Sequence, residues 1–86
     1  MDRDEQGAMA GERLRQADRL RDLRMWDAAI LAYRAHLAAD PSDWRAQVEL
    51  GHCLKESGDP AEALVAYRAA EALAPGHADI HLQIGH

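Results

Sequence analysis

Histidine and cysteine are the side chains in this sequence with the most chemistry to offer, and there are five of the first and one of the second. His77 and His81 stand at i and i+4, a spacing that places two imidazoles on one helix face as metal ligands are placed. Nothing near them supplies a third ligand, and His77 adjoins the Pro75-Gly76 turn. Both read as surface histidines at a helix start, and no metal is expected. His52 and His86 are 34 residues apart, one period of the repeat that organises the chain. Two imidazoles lining one groove would make it sensitive to pH, since histidine titrates near ~6.5. Cys53 lies beside Leu54 on an amphipathic stretch with no base or cation cluster to draw out a thiolate. A buried, inert thiol is expected there. Being the sole cysteine, it excludes an intramolecular disulfide and a multi-cysteine zinc site. The chain carries no glycine-rich phosphate loop, no paired catalytic carboxylates in a recognisable frame and no Ser-His-Asp pattern. These residues are therefore read as non-enzymatic, with no catalytic residue and no cofactor.

The elements that position these side chains must come from a small chain. Its 86 residues (9.5 kDa) allow one marginal core, because a short chain buries a small share of its surface. Ten Lys and Arg against fifteen Asp and Glu leave a net charge of -5. That balance argues against nucleic acid, whose binding needs a basic face. A hydrophobic content of 48% argues against global disorder. Aromatics are only 5% with no Phe, and the abundant alanine suits closely packed helices. No apolar run approaches the ~18 residues of a membrane span. Met1 to Gln6 also lacks the apolar stretch of a signal peptide, so no membrane partner and a cytoplasmic setting are expected.

An internal repeat is the clearest signal. A shift of 34 pairs Leu20 with Leu54, Ala29 with Ala63, Ala32 with Ala66, Tyr33 with Tyr67, Arg34 with Arg68 and Pro41 with Pro75. The same shift sets Val48, Leu50, Gly51 and His52 over Leu82, Ile84, Gly85 and His86. A fixed period of this length marks a solenoid unit. Each unit reads as two helices. Gln47, Leu50, Gly51 and Leu54 share one face of a helix that Gly58 can end by taking φ > 0. Asp59-Pro60-Ala61-Glu62 then starts another, with Asp59 as cap, Pro60 in the first turn and Glu62 placed for a capping box. Ala63, Ala66, Tyr67, Ala70 and Leu73 form its inner face, and Pro75-Gly76 stops it. In the first unit Leu14, Ala17 and Leu20 make a narrow stripe among arginines, and Ala29, Ile30, Tyr33 and Leu37 make the second helix. Ser42 or Asp43 caps the first helix of the second unit. Trp26 is expected to staple a helix start over Ala29 and Ile30, and Trp44 to pack on the first unit or stand exposed as a partner's anchor.

Leu50-Gly51, Ala63, Tyr67 and Pro75, echoed by Ala29, Tyr33 and Pro41, resemble the tetratricopeptide repeat. The resemblance covers about residues 10 to 86 and implies an all-α fold, a right-handed α-α superhelix of antiparallel helix hairpins. It divides the chain into a disordered tail at 1–9, a first unit at 10–43, a second at 44–77 and a truncated first helix of a third at 78–86. Departures are Ala17 where the family favours Gly, Gln16 where it favours Leu, Arg24 at the turn glycine and His36 at an alanine place. Gly51 and Ala63 have a packing reason, since larger side chains would push the helices apart.

What the resemblance implies for function is binding of a peptide or partner protein in the concave groove. By register that groove takes Arg15, Asp18 and Arg21, then Arg45, Val48, Glu49, His52 and Lys55, then Gln83 and His86. One subset of the family grips the carboxylate tail of heat-shock chaperones with basic and amide side chains. Here those places read Leu14, Asp18, Glu49, Asp79 and Gln83, and like charge would oppose such a tail. Ile80, Leu82 and Ile84 form an apolar end without a covering helix, so the chain is expected to be a fragment or to associate with itself there as a homo-oligomer. The other reading in view is an N-terminal segment of a larger bacterial enzyme, similar to repeats that precede glycosyltransferase domains, where it would recruit or orient substrate.

Overall fold

The computed structural model describes residues 2–76, with side chains described from Gly11 onward. Four helices make up the described chain: α1 (Asp2–Asp22), α2 (Trp26–Ala39), α3 (Trp44–Glu56) and α4 (Pro60–Leu73). The fold of these residues is all-α, without a strand among them. Each helix packs on the next, α1 on α2, α2 on α3 and α3 on α4. No helix among the described residues is long and apolar enough to cross a membrane.

The sequence period reappears in the backbone bonds. α1 closes with Leu23 N–H on Arg19 O at 3.0 Å, Arg24 N–H on Arg21 O at 2.9 Å and Met25 N–H on Leu20 O at 2.9 Å. Thirty-four residues later α3 closes with Ser57 on Cys53, Gly58 on Lys55 and Asp59 on Leu54, at 2.9, 3.1 and 2.8 Å. Each set is a Schellman motif, which satisfies carbonyls that a helix end leaves open and needs a left-handed residue just past the end. Gly58 fills that place at φ 96°, and Arg24 is forced into it at φ 60°. The ends of α2 and α4 match as well. Asp40 N–H bonds His36 O and Ala74 N–H bonds Ala70 O, and the two cap residues share nearly the same φ and ψ.

Helix starts follow their caps. Asp43, rather than Ser42, caps α3, accepting from Ala46 N–H at 3.2 Å, while the Ser42 hydroxyl donates to Asp40 Oδ1. Asp59 caps α4 by accepting from Glu62 N–H at 3.2 Å, with Pro60 in the first turn. The Glu62 carboxylate stays exposed, so the contact at this cap is Asp59's.

One core runs through all four helices. Ala17, Ala29, Tyr33, Cys53 and Ala70 are fully enclosed, and Ile30, Leu37, Leu50, Leu54, Ala63, Ala66 and Tyr67 complete it with little exposure. Leu14, Leu20, Trp26 and Val48 lean on it from the side. Gly51 faces the Tyr67 ring so closely that a Cβ there would sit 2.7 Å from Cδ1, and the ring would have to move. Ala17 holds the equivalent place in the first unit, fully buried.

Two expectations change. Helix α1 reaches back to Asp2, whereas the lack of hydrophobic periodicity suggests an unstructured tail over 1–9. The segment has no proline, and acidic residues near a helix start suit the positive end of its dipole, so backbone helix needs no apolar stripe there. Leu73, expected on the inner face of α4, is instead 42% exposed, because it is the last helical residue.

Candidate interaction surface

Helices α1 and α3 are joined by an ion pair between Arg21 and Glu49. Around it four of the groove residues expected from sequence, Asp18, Arg21, Glu49 and His52, are drawn into one network. Arg21 Nη1 also lies 3.5 Å from Asp18 Oδ1 and donates to the Tyr33 hydroxyl at 3.3 Å, while Nη2 donates to Asp22 at 3.0 Å. Tyr33 in turn donates its O–H to Asp18. On the α3 side His52 Nδ1 and Glu49 Oε1 are 2.9 Å apart, and the His52 ring meets Tyr67 edge-on with centroids 5.8 Å apart. Asp18, Arg21, Glu49 and His52 therefore sit together, held from below by the two tyrosines.

The network sets the charge states. The hydrogen bond with His52 holds the Glu49 carboxyl below its ordinary value against the opposing effect of burial, and Arg21 adds to the lowering. Burial works against charge on Arg21, yet Asp22, Glu49, Tyr33 and Asp18 keep its pKa above the usual value. Burial and the bond to Asp18 push the Tyr33 hydroxyl far up, so it stays a donor. Cys53 is enclosed and burial raises its thiol to about 11, which agrees with an inert thiol.

Beside this network lies an open cleft of about 410 Å3, lined by Arg21, Arg24, Trp26, His52 and Glu56. Trp26 leans on the core as a staple should, and its remaining surface forms a wall of the cleft. The other groove candidates are dispersed. Arg15 pairs with Glu12 on its own helix at 3.2 Å, and the Arg45 guanidinium lies 5.3 Å from the centre of the Trp44 ring. Val48 is spent partly on the core, and Lys55 is exposed. Gln83, His86, Ile80, Leu82 and Ile84, with His77 and His81, lie outside the described residues.

Sequence reasoning takes Tyr33 for a core residue first, which its burial bears out, and misses its polar end. The available signal is chemical, since a buried tyrosine usually finds a partner for its O–H, as Tyr33 does and Tyr67 does not. The repeat adds a second signal, because Asp18 with Tyr33 and His52 with Tyr67 are the same pair of places in successive units.

A second polar group gathers at the turn between α2 and α3. The buried His36 presents Nε2 to Asp43 Oδ2 at 2.7 Å. Donor atoms of His36, Asp40 and Asp43 all lie within 4.8 Å of one another, near enough to hold a cation. Asp43 already uses both oxygens, one on His36 and one on the α3 cap, which makes it a clasp between helices, while His36 Nδ1 is buried without a hydrogen-bond partner.

Comparison with models of known protein families finds no match, and comparison with curated proteins finds no significant relative.

Proposed function

We propose that the chain is a pair of tetratricopeptide-like helix hairpins that binds an extended segment of another protein along the face shared by α1 and α3. The observation that carries this reading is the cleft beside the Arg21–Glu49 pair, where Trp26 offers apolar surface within a charged rim. Groups ordered before a ligand arrives need not be ordered by it, which favours binding. Trp and Arg are also the side chains that most often anchor an interface. The 34-residue recurrence of turn bonds supports the hairpin assignment. Asp18, Arg21, Asp22, Glu49 and His52 of the face are engaged in mutual pairing, and its nearest nucleophile, Cys53, is enclosed. Binding without chemistry is the function these residues fit.

The face carries Asp18, Asp22, Glu49 and Glu56 against Arg21, Arg24 and Lys55. A neutral or basic segment therefore suits it better than an acidic tail. Fluorescence anisotropy with peptides selected from a random display library tests this. Selected peptides are expected to carry net positive charge, and Glu56→Lys or Asp22→Lys to weaken them by about tenfold together. His52→Ala should also weaken capture, whereas Arg45→Ala, on a residue stacked against its neighbour, should change it little. Selection of strongly acidic peptides, or indifference to Glu56 and Asp22, would contradict the assignment.

A further inference from the structure

Leu31 on α2 and Val65 on α4 stand one repeat period apart, and they are 69% and 61% exposed. Both are large aliphatic side chains left bare at matched places of the two helix pairs. A second groove of about 180 Å3 is lined by Val65, with Leu50, Leu54 and Ala66 at its base and Arg34 and Glu62 among its lining. It shares no residue with the cleft beside Arg21. Helical spacing sets Leu31 and Arg34 on one face of α2, and Glu62 and Val65 on one face of α4. The patch thus has an apolar knob beside a cation on α2, and on α4 an anion and Val65 lining a groove to which Arg34 also contributes.

We infer that this face docks a second copy of the chain about a two-fold axis, Leu31 of each copy entering the groove of the other. In a two-fold contact every pairing occurs twice, so a patch must complement itself. Arg34 of one copy then meets Glu62 of its partner, and the reverse pairing follows by symmetry. Two rims of one sign would repel in the same arrangement. Charge of opposite sign on α2 and α4 is what makes a second copy the fitting occupant.

Sedimentation equilibrium of the full 86-residue chain, with helicity followed by circular dichroism, tests the inference. A monomer–dimer equilibrium is expected. Arg34→Glu and Glu62→Arg should each weaken it by at least about tenfold, and combining them should restore it to within about threefold, because the swapped pairs re-form. Leu31→Ser, at an exposed place that leaves the fold alone, should weaken it too. The inference is overturned by a strict monomer up to about 1 mM. It is equally overturned by a dimer that ignores both charge reversals and is lost on Ile80→Lys.

Discussion

Arg24 carries a cost that its counterpart Gly58 does not. Both occupy the left-handed place that ends the first helix of a hairpin, at φ 60° and 96°. There a Cβ crowds the following carbonyl, at about 1–2 kcal/mol for a non-glycine residue. Arg24→Gly should therefore stabilise the fold by about 1 kcal/mol, after the larger freedom of glycine in the unfolded chain is deducted. Chemical denaturation reads this directly, and a loss of stability would show that the arginine side chain compensates the backbone. The position also lines the cleft. Single-residue features of this kind were legible in the sequence as departures from the repeat. The Tyr33–Asp18 bond was not, because a tyrosine at a core period shows its ring and hides its hydroxyl.

Among the elements, the turn into α3 bears more than the turn into α4. Asp59 caps α4 alone, whereas Asp43 caps α3 and also receives the buried His36 ring. Loss of a cap costs about 1 kcal/mol, and a buried donor left without its acceptor costs a further ~1–3 kcal/mol. Asp59→Ala should thus cost about 1 kcal/mol and Asp43→Ala about 2–4 kcal/mol. In a His36→Ala background the cost of Asp43→Ala should fall toward that of Asp59→Ala, since only the cap remains to be lost. Equal costs in the parent chain would mean that the His36–Asp43 contact does not act as a clasp. Helices and turns were well announced in sequence, because glycine, proline and capping aspartates act locally. The backward reach of α1 and the exposure of Leu73 were not. The first needs helical backbone without a hydrophobic period, and the second depends on where a helix stops relative to its neighbour.

For the whole molecule, the core concentrates groups that resist ionisation. Burial lifts Cys53 to about 11 and Tyr67 to about 12, and lifts Tyr33 further with help from Asp18. In the unfolded chain these groups ionise at their ordinary values of 9.0 for the thiol and 10.0 for the phenols. Raised folded values mean that their contribution is complete below pH ~9 and is lost as pH climbs through ~9 to ~12. Melting temperature should hold level up to that window and then fall steeply, and Cys53→Ala should remove the early part of the fall. Arg21 and His52 of the cleft's lining were among the groove residues expected from sequence, and the repeat and the helix pairs were visible there because they recur at one spacing. The cleft was not, since its lining comes from a turn, a staple and two helices that only packing assembles. Amide chemical-shift mapping by NMR, with a library-selected peptide titrated into the isotope-labelled chain, tests the proposed binding face most directly. Shifts gathered at Arg21, Arg24, Trp26, His52 and Glu56 are the predicted result; shifts gathered instead at Leu31, Arg34 and Val65, with the cleft silent, would contradict it.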